Sequence, residues 1–184
     1  MRLSLYEFEA GAETIGGDRV VYDIANDRAH FGAAEVEGHA LVWQLDETPE
    51  QAEGALLSRR VQLDPYEDWV MRCDRIDFPP GGIAYRHTHP GPGIRYLLFG
   101  ELDITTEGKM LSYGKGGAWF ESGSAPVLAE ASQHQPTAFI RVMILPAEWA
   151  GKRTIRYVDP ADDNRPKLQK PTVYVEHPID LPVL

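Results

Sequence analysis

The chain has 184 residues, 43% of them apolar and 25% charged, which suits one folded domain with a full hydrophobic core and excludes a disordered or fibrous chain. A formal net charge of −10 argues against a nucleic-acid partner, whose phosphates such a surface repels. Cys73 is the single cysteine, so no internal disulfide forms; it reads as a small buried apolar residue in a reducing compartment.

In chain order, the N-terminus has Arg2 but meets Glu7 and Glu9 at once, and lacks the apolar run of a signal peptide. No stretch reaches membrane-spanning length, and the expected location is cytoplasmic. Arg19 to Ile24 and Leu41 to Leu45 are strand candidates lying outside the later motif. Thr48-Pro49-Glu50-Gln51 has the pattern of a helix start, with Thr48 as N-cap and Gln51 completing a capping box, though Gly54 limits it to a turn or two. Trp69 to Phe78, Ile83 to His89, Arg95 to Thr105, Val127 to Ala131 and Thr137 to Leu145 then form a series of short strands cut by Gly, Pro and Ser-rich turns. Beyond Gly151, Pro160, Pro166, Pro171, Pro178 and Pro182 disfavour a helical ending. An extended arm is expected, with Thr172 to Glu176 able to pair with a sheet edge of its own chain or of a partner.

The chemistry concentrates in residues 81 to 93. His87 and His89 are separated by one residue, and alternate side chains of a strand share a face, so the two imidazoles can reach one ion. The pair enters the Pro/Gly-rich turn Pro90-Gly91-Pro92-Gly93. Gly81, His87, His89 and Gly100 stand at the spacings of the first motif of the cupin superfamily, which this region resembles. A glutamate of that motif falls on Gly93. The stretch Gly116 to Pro126 resembles the turn of the second cupin motif, but Glu121 stands at its proline and Pro126 at its ligand histidine. The resemblance covers residues 81 to 126. It implies an all-β fold: a cupin jelly-roll, or double-stranded β-helix, over roughly 60–146, with N-terminal strands over 1–59 and an extended arm over 147–184 in a single domain.

The same resemblance implies a divalent transition metal, Fe, Mn, Zn or Ni, held by His87, His89 and a third ligand, for which Glu121 is the first candidate. The bland alternative is a polar pair at a barrel mouth and a solvated turn carboxylate. His134 and Glu130 are poorer ligands, and His30, His39 and His177 read as surface residues. Tyr85 has the parity of His87 and His89 and could donate a proton in the same cavity. Arg95 has the parity of Gly93, and Arg141 sits among Phe139, Met143 and Leu145. Both are expected to face inward, either toward an anionic substrate or in internal ion pairs with a residue such as Glu101 or Asp103. Trp119 reads as cavity wall or core, or as a stacking platform for substrate. Three functions stay open. The first is a mononuclear metal enzyme acting on a small, anionic molecule, with dioxygenase, isomerase and decarboxylase all in range. The second is a metal-free binding module, and the third is a metal-free isomerase or lyase using His and Tyr. A homodimer, formed partly through the Pro-rich arm, is also expected.

Overall fold

The computed structural model describes residues 1–47 and 52–182. The expected helix start at Thr48 to Gln51 lies outside them. Among the described residues the regular structure is strand, with two short 3₁₀ turns and no α-helix, as the alternating pattern and the crowding of Gly and Pro require. In chain order the strands are β1 (Arg2–Phe8), β2 (Ala12–Asp23), β3 (Arg28–Val36), β4 (Ala40–Asp46), β5 (Leu57–Arg60), β6 (Trp69–Phe78), β7 (Ile83–Thr88), β8 (Gly93–Phe99), β9 (Glu101–Thr106), β10 (Lys109–Gly114), β11 (Ala118–Glu121), β12 (Val127–Ala131), β13 (Thr137–Pro146), β14 (Arg156–Tyr157) and β15 (Lys170–Ile179).

The chain divides into two compact units, neither of them contiguous in sequence. One comprises residues 1–73, 142–150 and those from 173 onward; the other comprises 74–141 and 151–172. The first unit is built on an antiparallel sheet of order β3-β2-β4-β1-β5. Opposed pairs such as Leu5 with Trp43 and Leu3 with Leu45 are buried on one of its faces. On the other, Val21 and Val42 pack with Val36 and Ala40. The arm contributes β15, longer than the expected Thr172 to Glu176 and placed at the edge of a sheet of its own chain. Within this unit Glu176 reaches Arg72 at 3.7 Å, His177 stacks on Phe31 with centroids 3.9 Å apart, and Tyr174 donates to Asp27.

The second unit carries the motif. From β6 to β13 the chain passes back and forth between two sheets, staying in one only for the β9–β10 hairpin: β6, β8, β11 and β13 belong to one, of order β11-β8-β13-β6-β15, while β7, β9, β10 and β12 belong to the other, of order β10-β9-β12-β7-β14. That alternation is a jelly roll, as the resemblance implies. Side chains from both sheets, among them Phe78, Leu97, Leu102, Ile104, Val127 and Phe139, form one core.

The expected strand Arg95 to Thr105 is broken at Gly100, which ends β8 and lets β9 begin in the other sheet. Gly100 has φ +84°, and a Cβ there would lie 2.3 Å from Thr137 Oγ1 and 2.5 Å from the Pro136 carbonyl. The last glycine of the motif is thus fixed both by its left-handed backbone and by lack of space.

Leu97 is fully buried in the core, whereas Leu111 on the edge strand β10 is 55% exposed. Leu97→Ala should cost about 2–5 kcal/mol of unfolding free energy and Leu111→Ala about 0.5 kcal/mol or less, read from urea denaturation. Equal costs would mean that Leu97 is not part of the core.

Candidate functional site

The second unit gathers His87, His89, Arg95, Glu121, Arg141, Asp74 and Thr154, all of them buried. His87 Nδ1–H donates to the Tyr85 carbonyl at 2.7 Å, and His89 Nδ1–H donates to the Thr154 carbonyl at 3.1 Å. A carbonyl only accepts, so both imidazoles carry their proton on Nδ1 and turn a bare Nε2 lone pair inward. The two Nε2 atoms face each other at 3.1 Å. Two lone pairs at that distance repel unless a cation or an N–H lies between them. Burial holds both imidazoles below their ordinary value near 6.5, His89 well below it with the Arg141 charge as the next cause, so a shared proton is disfavoured at neutral pH. Arg141 Nη1–H donates to His89 Nε2 at 3.3 Å. His87 Nε2 has no protein donor beside it among the described residues.

Strand pairing explains the rest. In the β8–β11 ladder Glu121 stands opposite Gly93, and Trp119 opposite Arg95. Directly opposed residues project to the same face. The carboxylate absent from the motif at Gly93 is therefore supplied by the strand across from it. Glu121 Oε1 accepts from Trp119 Nε1 at 2.8 Å, and Glu121 Oε2 lies 2.8 Å from Arg95 Nη2 and 3.7 Å from His89 Nε2. Arg95 is fully buried, and its Nη1 donates to the Gly93 carbonyl at 2.7 Å. The close approach of Nη2 to Oε2 is Coulombic, off the N–H axis, so Arg95 Nε, Arg95 Nη2 and Glu121 Oε2 are buried without a hydrogen-bond partner among the described residues. Burial pushes the Arg95 pKa down to about 10, partly offset by Glu121, and the guanidinium stays charged at neutral pH.

Arg141 is held by Asp74, Nε to Oδ1 at 2.5 Å and Nη2 to Oδ2 at 3.1 Å, in a bidentate pair. Arg141 Nη2 also reaches Thr154 Oγ1 at 3.4 Å. The partners of the two arginines are thus Glu121 and Asp74, not the expected Glu101 or Asp103. Cutting either pair would strand a buried charge, at a cost of about 3–5 kcal/mol.

Sequence parity misplaces Tyr85. Along β12, Val127 pairs with His87 and Ala129 with Ala84, so three steps of β7 oppose two of β12 and a bulge falls between them. Ala84 and His87 both face the interior, and the extra residue takes Tyr85 off that face. Tyr85 serves the site through its carbonyl, while its ring lies 4.9 Å under the Arg165 guanidinium. Trp119 is core: Tyr113 stacks on it at 4.8 Å and Phe139 meets it edge-on at 5.4 Å. It positions Glu121 and offers no open face to a substrate. His134, Glu130, His30 and His177 are exposed, His39 pairs with Glu7 at 2.8 Å, and Cys73 is buried.

The metal implied by the resemblance meets a mixed donor set. The converging Nε2 atoms, each oriented by a carbonyl on Nδ1, have the form of two metal ligands. The remainder does not fit: Gly93 and Pro126 bring no donor, Glu121 gives Oε1 to Trp119 and sets Oε2 against the Arg95 charge, and a guanidinium already flanks His89 Nε2. Among the described residues no group of three His, Cys, Asp or Glu side chains is arranged to hold a metal ion.

No family model matches the chain, and no curated protein matches it. Solved structures that it is similar to include an RmlC-like cupin from Shewanella frigidimarina, at 14% identity and TM-score 0.39 over 49% of this chain and 94% of that one. The polyketide cyclase RemF from Streptomyces resistomycificus aligns at 20% identity and TM-score 0.41, over 53% of this chain and 65% of the cyclase. A cupin 2 conserved barrel domain protein from Leptotrichia buccalis aligns at 18% identity and TM-score 0.40, over 78% of this chain and 73% of that one. At such scores the likenesses say nothing of chemistry, and the jelly roll rests on the strand order above.

Both imidazoles are held neutral in the folded protein, whereas in the unfolded chain each takes up a proton below about pH 6.5. The unfolded state then binds more protons, so stability is complete above that value and falls as the pH drops, by up to about 1.4 kcal/mol per pH unit for each histidine. In urea titrations of chelator-treated protein at pH 7.5 and 5.5, the loss on acidification should be smaller for the His87→Asn/His89→Asn double variant than for wild type. The same loss in both would remove the histidines from the acid response.

Proposed function

We propose that this chain is a cupin-type small-molecule-binding protein whose second unit takes a small carboxylate at Arg95 and a proton-bearing group of the same ligand at His87. One observation carries the reading: a fully buried guanidinium whose Nε and Nη2 make no hydrogen bond among the described residues stands in the same cluster as His87, whose Nε2 has no protein donor beside it there. Orphaned buried donors and acceptors are costly, and a ligand that satisfies both sets recovers that cost on binding. A guanidinium fork matches a carboxylate bidentately, and the neutral imidazole of His87 accepts O–H or N–H. An enolisable acid bound this way presents its acidic proton to a lone pair, which is the arrangement an isomerase or lyase needs. Glu121, fixed by Trp119, keeps Arg95 from carrying an uncompensated charge before the ligand arrives.

The facing Nε2 atoms favour a second reading, a divalent transition metal held by His87 and His89 with water or ligand completing its shell. Elemental analysis of untagged protein beside His87→Ala decides between the two. The first reading expects no stoichiometric metal in either protein; metal in the wild type that disappears with the substitution establishes the second.

Isothermal titration of a panel of small mono- and dicarboxylates, in the presence of chelator, tests the first reading directly. Arg95→Met should weaken binding by about 1.5–3 kcal/mol, the scale of a charged hydrogen bond, with an unchanged circular dichroism spectrum. Equal affinity in the two proteins, or preference for neutral analogues, would make the arginine purely structural.

A further inference from the structure

The first unit holds a pocket that the site above does not use. β2 is twelve residues long but not one straight strand: its pairing with β3 shifts register between Ile15 and Val20. At the shift Gly16 has φ +119° and Gly17 φ +80°, and Gly32 on β3 has φ +77°. Only glycine adopts such angles freely, so a corner is written into the hairpin at one level on both strands. Beyond the corner Arg19–Asp23 pairs with β4, whereas Ala12–Ile15 pairs only with Ala33–Val36 of β3.

A cavity of about 470 Å³ is lined by residues from both sides of that corner, Tyr6, Phe8 and Val42 from β1 and β4 facing Ala12, Thr14 and Ile15. Its volume lies within the roughly 300–1,000 Å³ of small-molecule sites. Its lining is mainly apolar and carries an aromatic pair, Tyr6 and Phe8, stacked with centroids 6.4 Å apart. Two large apolar side chains are left in water at its rim, Phe8 at 41% and Ile15 at 93% exposure.

One cation also lines this cavity. Arg19 Nε donates to Gln44 Oε1 at 3.0 Å and Arg19 Nη1 to the Gly16 carbonyl, which fixes the guanidinium and leaves Nη2 without a protein acceptor among the described residues. Glu13, the acidic residue of the lining, is exposed. A fixed guanidinium in the lining of an apolar, aromatic-walled cavity selects a flat hydrophobic body bearing an anion.

From this geometry we infer that the first unit carries a second ligand site, for a planar aromatic carboxylate, with its ring against Tyr6 and Phe8 and its carboxylate on Arg19. The site is independent of His87 and Arg95, so it stands whether or not the reading of the second unit holds.

The probe is 2-naphthoate, titrated into the full-length chain and followed by amide chemical shifts, with neutral 2-naphthamide and cationic 2-naphthylmethylamine as controls. Naphthoate should shift the amides of Tyr6, Phe8, Arg19 and Val42. Arg19→Gln should weaken it tenfold or more, Arg95→Met should leave those shifts unchanged, and the amine should not bind. Val42→Trp, which fills the cavity, should abolish the shifts. Should that variant fail to fold, Arg19→Gln and the three-probe series still decide. Naphthoate shifts confined to the second unit, undiminished binding by Arg19→Gln, or equal binding of the amine would overturn the site.

Discussion

Two guanidiniums inside a β-barrel can persist only if two carboxylates are buried with them, and the second unit is organised around that requirement. Arg141 is clamped by Asp74 through two bonds, and Arg95 is faced by Glu121, so the cluster of two cations, two anions and two neutral imidazoles closes with no net charge. The remaining geometry follows from this closure. Thr154 is buried because its hydroxyl accepts from Arg141 while its carbonyl accepts from His89, and this draws the chain after Gly151 against β7, where Tyr157 pairs with His87. Trp119 is oriented by its bond to Glu121 and then serves as a wall of the core. Charge balance thus places a tryptophan, a threonine and an edge strand.

The sequence made the scaffold readable where chemistry left one solution. Gly81, His87, His89 and Gly100 stand at fixed spacing, and Gly100 explains itself once Thr137 and Pro136 are found within 2.5 Å of where its Cβ would be. The inward parity of Arg95 and Arg141 was legible because an arginine in an apolar strand has few places to go. Tyr85 was misread for a physical reason: parity arguments assume an unbroken pleat, and a bulge between Ala84 and His87 reverses every inference on its far side. Asp74 has a signal in the sequence, a carboxylate inside the largely buried run Trp69 to Phe78, but Asp77 shares that run and nothing in the sequence separates the two. Thr154 gave no signal at all, since its contribution is mostly a carbonyl.

The first unit was legible only in its sheet. Leu41 to Leu45 alternates as a strand should and Arg19 to Ile24 is a strand candidate, but the first half of β2 carries no such expectation, and Gly16 and Gly17 interrupt it. Glycine pairs signal a break in the chain's direction without saying whether the chain ends a strand there or turns a corner and resumes it. The partner strand decides: Gly32 supplies matching freedom opposite, and the hairpin turns the corner as a pair.

Where the sequence departs from the two motifs it resembles, a guanidinium stands in the site. A bound metal is a removable positive charge that needs anionic or lone-pair ligands; a guanidinium is a permanent one that needs carboxylates and carbonyl oxygens. At Gly93 the motif's carboxylate is gone, but its backbone carbonyl now receives Arg95, and a carboxylate returns from the opposite strand at Glu121 to face that arginine. At His89 the lone pair that would ligate an ion instead accepts from Arg141. The positive charge of the site is therefore built into the chain. Of the two imidazoles, His87 is the one whose Nε2 lone pair meets no protein donor among the described residues, which leaves it to a group from outside the protein.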